Sequence, residues 1–173
     1  ILNLKIFLDI LMFSRGPQDL PSSSLLLKMI IFMNIAIGLI SVDPNVSFTV
    51  NMLFTIIYIA VTLLFIKSCL GIKDRNNGTP DLFVSRHTQV SSSILGIHAI
   101  IALFTSMIAI SRITDESSTL FIFLIVSLYA WFVNGYIFKN AFDTTMSIGL
   151  AISLLHSIAC VFVMMIFIQV LAI

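Results

Sequence analysis

The fold class this sequence predicts is all-α: a polytopic transmembrane helical bundle of five spans, preceded by a short interfacial helix. Three observations predict it. Of 173 residues, 59% are hydrophobic and 10% charged, with a mean hydropathy of +1.12. A soluble domain carries about 25% charged residues, so this chain has too little polar surface to coat a globule in water. Long uncharged runs recur at the length that crosses roughly 30 Å of hydrocarbon. Lys and Arg fall almost entirely on alternate connections between those runs.

The chain opens with an apolar segment, Ile1 to Ser14, interrupted by Lys5 and Asp9. These two are four apart and share a helical face, with Leu4, Phe7, Leu8 and Leu11 opposite. The segment is too short to span, and Arg15-Gly16-Pro17 rather than a small-x-small cleavage site follows it. It is therefore read as a helix in the headgroup plane, not as a signal peptide. Residues 1–21 form this interfacial helix and a Pro-rich turn around Pro17 and Pro21.

Residues 22–173 form the five-span domain, with spans at about 22–42, 45–68, 87–111, 117–138 and 144–172. Each must be helical, because an open strand in lipid leaves backbone groups unpaired. Ser22, Ser23 and Ser24 offer an N-cap for the first. Lys28 can lift its ammonium to the headgroups while its stem stays in lipid. Asp43-Pro44-Asn45 turns into the second span, and Lys73 to Pro80 makes the one strongly polar loop. Arg112 to Ser118 separates the third and fourth spans. Lys139 to Asp143 is short enough to force the last two into an antiparallel hairpin.

Topology follows from the positive-inside rule. Lys5, Arg15, Lys28, Lys67, Lys73, Arg75, Arg86 and Lys139 fall on one side of a five-span chain, and Arg112 alone on the other. The N-terminus is thus expected in the cytoplasm and the C-terminus outside, with a bacterial cytoplasmic membrane as the expected location. A net charge of +1 points to no nucleic acid partner. The expected partner is the lipid bilayer, with other membrane proteins or a second copy meeting small-residue helix faces.

Ionisable residues inside spans are the first place to look for function. No Asp, Glu or Arg stands in the middle of a span. His98 and His156 do, and either imidazole could bridge helices, relay a proton or bind a metal. The spacing of a metal site is missing, so an interhelical hydrogen bond is the expected role. His87, beside Arg86, is expected to meet headgroup phosphate. Asn134 lies among Tyr129, Trp131 and Tyr136, where the amide is expected to bond another helix and the aromatics to form an interface belt. Gly149, Ser153 and Ser157 repeat at four-residue spacing, a stripe that lets a neighbouring helix come close. Ser92 and Gly96 do the same in the third span. Cys69 and Cys160 are too few and too far apart for a disulfide framework. No catalytic, cofactor-binding or metal-binding residue is expected.

Three stretches resemble the Yip (Ypt-interacting protein) domain family of five-span membrane proteins. Arg15-Gly16-Pro17-Gln18-Asp19-Leu20-Pro21 before the first span is similar to the opening of the compact bacterial members. Arg86-His87-Thr88-Gln89, followed by Ser91-Ser92-Ser93-Ile94-Leu95-Gly96, resembles the family's entry to its third helix. The tight hairpin Ile137 to Asp143 resembles its fourth-to-fifth connection. The family's eukaryotic members act in membrane traffic and bind Rab-type GTPases, largely through a longer cytosolic N-terminal region. The resemblance implies the five-span fold and its orientation.

The expected function is that of a non-enzymatic membrane protein organising or assisting other membrane components. The alternative is a small-solute transporter or channel subunit, with a polar path lined by His98, Asn134, Ser153 and His156.

Overall fold

The computed structural model describes residues 4–40, 48–79, 81–111 and 116–171. The expected turn at Asp43-Pro44-Asn45 and most of the connection after the third span, 112–115, lie outside them. The described residues form an all-α membrane bundle of six helices: α1 (Leu4–Leu11), α2 (Ser24–Ile40), α3 (Phe48–Asn77), α4 (His87–Ser111), α5 (Glu116–Ala141) and α6 (Met146–Leu171). Helices α3 to α6 are each long and apolar enough to cross a membrane. Helix α2 is apolar but shorter, at 17 residues, near the lower limit of roughly 17–25 for a span.

Helix α4 is the hub. It packs on α2, α3 and α5, while α6 packs on α3 and α5. The core gathers at the end where the polar loop and the α5–α6 hairpin lie. Every residue from Val90 to Ile97 is buried.

That end is tied together by polar groups. The Ser23 hydroxyl caps α2 by accepting from the Leu26 N–H at 3.3 Å. Asp19 closes the turn before it, accepting from the Gly16 N–H at 2.9 Å. Gln89 on α4 then donates to the Leu20 carbonyl at 2.6 Å, holding this linker on the bundle.

Helix α3, at 30 residues, is about 45 Å long at ~1.5 Å per residue. Its uncharged part stops at Ile66, so the stretch from Lys67 onward projects beyond the hydrocarbon. Lys73 to Asn77, expected in the polar loop, are the last residues of this helix; Gly78 ends it at φ 63°, and the polar loop begins there. In the projecting stretch Asp74, 7% exposed, accepts from the backbone N–H groups of Phe83 and Val84, both at 2.8 Å, and from the Thr79 hydroxyl at 3.3 Å. Burial works against its charge, but these hydrogen bonds outweigh it and hold the carboxyl below the usual carboxylate range. One acid thus pins the polar loop against the entry of α4. Arg86 continues the clamp, pairing with Asp143 at 2.9 Å and donating to the Ala141 carbonyl at 3.3 Å.

The short N-terminal helix is present as α1, and it is held on the bundle. Ile6, Phe7 and Ile10 are buried against α4 and α5, and Leu11 packs partly against the core. Of the face opposite the charges, Phe7 and Leu11 thus meet the bundle, whereas Leu4 and Leu8 are exposed. The buried stripe is turned toward Ile6 and Ile10, and Phe7 enters a notch on α4. A Cβ on Gly96 would collide with the Phe7 ring. The Tyr129 hydroxyl also reaches the Leu11 carbonyl, at 2.6 Å.

Candidate functional site: the intramembrane polar cluster

Asn34 stands ten residues into α2, His98 eleven into α4 and His156 ten into α6. These helices all start from the same end, so the three polar residues lie at a common depth of about 15 Å from it. The cluster divides into two pairs. The Asn34 amide nitrogen donates to the Leu95 and Ile30 carbonyls, both at 2.9 Å, and its oxygen lies 2.9 Å from His98 Nδ1. His156 Nε2 lies 3.0 Å from the Thr62 hydroxyl and 3.5 Å from the Cys160 sulfur. Tyr58 stands between the pairs, stacked on the His98 ring at 4.2 Å and edge-on to His156 at 6.1 Å.

Each pair fastens two helices. Asn34 with His98 joins α2 to α4, and Thr62 with His156 joins α3 to α6. The two histidines therefore do bridge helices, each to a partner that its spacing in the chain does not reveal. Tyr58 and Thr62 carry no signal of their own in the sequence, because a lone hydroxyl in a span is common. Asn34 is a lone amide in a span as Asn134 is, and counting depth from a shared membrane face would have made it a candidate partner for either histidine.

The remaining sequence-predicted residues go elsewhere. Asn134 on α5 makes none of the cluster's hydrogen bonds, and its side-chain oxygen is buried with no hydrogen-bond partner among the described residues. The expected aromatic belt around it is partly used inside the protein: Trp131 donates to the Leu150 carbonyl at 3.2 Å, and Tyr129 bonds α1. His87 donates to the Leu63 carbonyl on α3 at 3.2 Å.

The stripe on α6 divides. A Cβ at Gly149 would strike the Gly135 carbonyl oxygen and lie 2.8 Å from the Lys139 backbone nitrogen, so α5 and α6 touch backbone to backbone there. Ser153, fully buried, donates to the Trp131 carbonyl at 3.2 Å. Ser157, the next in the series, is exposed and returns its hydroxyl to the Ser153 carbonyl on its own helix. Two members pack within this chain, and the third faces outward.

A cavity of about 240 Å³ opens beside the cluster, on the side away from the polar loop. Asn34, Tyr58 and His98 form its floor. Toward the loop, the Phe65 and Phe138 rings lie 5.2 and 6.2 Å from the His156 ring, and Ile94, Leu95 and Ile66 are fully buried. Asn134, Ser153 and His156 do not line the cavity. The polar groups thus make one dead-ended pocket and a set of interhelical ties. Among the described residues no three His, Cys, Asp or Glu side chains converge as a metal site would need.

Comparison with known protein families, with curated proteins and with solved structures finds no match.

Proposed function

We propose that this chain is a non-enzymatic integral membrane protein that organises or assists other membrane components. The observation that carries this reading is the way its intramembrane polar groups are used. Asn34, His98, Thr62, His156 and Ser153 each bond across a helix interface. They hold the bundle shut instead of converging on a reacting atom. Exposed apolar side chains on α5, among them Leu120, Phe121 and Leu124, leave an outer face for lipid or for another membrane helix. The resemblance to compact Yip-domain proteins agrees with this assignment.

In this reading the polar loop, the α5–α6 hairpin and the N-terminal segment face the cytoplasm. Gln89 touching Leu20 and Arg86 touching Asp143 support placing all three at one end, where the positive-inside argument wants them. In a Cys-free background, a membrane-impermeant maleimide added outside intact cells should label Ser118→Cys and leave Asn77→Cys unlabelled until the cells are opened. Labelling of Asn77→Cys from outside would refute the orientation.

The cavity beside His98 favours a second reading, a small-solute transporter. Native purification in mild detergent with mass spectrometry separates the two. A reproducible stoichiometric membrane partner upholds the organiser. A protein that purifies alone and carries solute in proteoliposomes overturns it.

A further inference from the structure

The cavity's chemistry is set by Asn34. Its amide nitrogen faces two carbonyl oxygens, those of Ile30 and Leu95, which only the N–H₂ side of the amide can satisfy. The amide oxygen is thereby turned to His98 Nδ1 at 2.9 Å, and that nitrogen must carry the hydrogen. This network assigns the tautomer. In the uncharged ring the other nitrogen, Nε2, then holds a lone pair. It has no hydrogen-bond partner among the described residues, and His98 lines the cavity. Tyr58 stacked on the ring fixes its plane.

Thr55, on another wall, has already given its hydroxyl hydrogen to the Asn51 carbonyl at 3.1 Å. Its oxygen can still accept. The other walls, Ile37, Phe54, Ala102 and Met164, are apolar, and among the described residues no carboxylate, Lys or Arg lines the space. At 240 Å³ it would hold about eight waters at ~30 Å³ each.

We infer that this cavity is a binding site for an uncharged molecule bearing a hydroxyl on an apolar body, the O–H donating to His98 Nε2 and the apolar part lying against Phe54 and Met164. A charged ligand finds no counter-charge there. A ligand with only acceptors meets the lone pairs of His98 and Thr55 and is repelled. A membrane alcohol and a water-soluble alkanediol share the matching chemistry. The inference goes beyond the organiser reading and stands or falls separately from it.

The test uses the full chain in phosphatidylcholine nanodiscs and a photoreactive diazirine analogue of decanol. Labelling should map to peptides containing Phe54 or Met164. Decanol should compete, and decyl methyl ether, which lacks the donor, should compete about tenfold more weakly, the effect of one hydrogen bond. His98→Phe should reduce labelling by a similar factor. Met164→Trp, which fills the cavity without touching the hydrogen bonds, should abolish it even if the first variant folds poorly. Competition by decanol alone identifies a ligand from the bilayer. Competition by 1,6-hexanediol as well identifies one entering from water, and either result upholds the donor chemistry. Equal competition by the methyl ether, or wall labelling unchanged in both variants, overturns the site.

Discussion

The half of the bundle near the polar loop is the less apolar and the more tightly packed of the two. On α4, the eight residues from Val90 to Ile97 are all buried, whereas Leu103, Phe104 and Met107 on the same helix are exposed. On α5, Val133, Ile137 and Phe138 are fully buried, whereas Leu120, Phe121, Leu124 and Leu128 are not. The difference lies in what the apolar residues are mixed with. The half near the polar loop contains Gly96, Gly135, Gly149, Ser91, Ser92, Ser93 and Ser153. From Leu120 to Leu128 on α5 and from Val161 to Leu171 on α6, all but Ser127 and Gln169 are Leu, Ile, Phe, Val or Met. Lipid tails are as apolar as leucine, so hydrophobicity alone does not draw two membrane helices together. Close packing and interhelical hydrogen bonds do, and both need small or polar side chains. The cavity lies where that supply ends.

The strongest way to break this contrast is at Gly149. Gly149→Leu drives a side chain into the Gly135 carbonyl and the Lys139 backbone. Backbone cannot yield as a side chain would, so the cost should reach or exceed about 3 kcal/mol. The expected result is loss of monodisperse protein in detergent size-exclusion chromatography. Ser157→Leu, eight residues along the same helix but exposed, should elute like the parent. Equal behaviour of the two variants would defeat the packing argument.

A smaller effect is expected at the boundary between the halves. Asn34→Leu strands the His98 N–H, worth about 1–3 kcal/mol, while the Ile30 and Leu95 carbonyls keep their own helix hydrogen bonds, and should lower the thermal midpoint. Adding His98→Phe should restore part of the loss, because removing both partners is less destabilising than leaving one unpaired. A double variant whose loss equals the sum of the singles would show that the pair is uncoupled.

The pH dependence sharpens the contrast from the loop end. The folded-state pKa of Asp74 is depressed. Its contribution is therefore fully present above the unfolded value of about 3.9 and is lost as pH falls through the lower folded value. Hydrogen exchange of residues 78–86 should quicken below about pH 4, while Asp74→Asn should exchange fast and independently of this titration. Parallel profiles would remove Asp74 from the clamp.

The smallest effect is expected in the loose half. Phe121→Ala, at a side chain 63% exposed, should shift stability by no more than about 0.5 kcal/mol in a denaturant titration. A loss comparable to that of Asn34→Leu would mean that α5 is packed there after all.

Much of this protein is legible in its amino-acid order alone. Charge-free runs, prolines and the serines ahead of α2 mark the helices, because a span must be apolar, long and internally hydrogen-bonded. The spacing of Gly149 and Ser153 marks a close contact, because only small residues permit one. What the sequence leaves open is which neighbour each residue meets. It does not say that Gly149 faces Gly135, that His98 finds Asn34 while His156 finds Thr62, or that Phe7 enters a notch at Gly96. Nor does it single out Asp74, one of eight acids in the chain, as the one around which the loop folds. Those pairings depend on rotation and depth of helices far apart in the chain. In a bilayer, hydrophobicity sets neither, so only the packed bundle decided them.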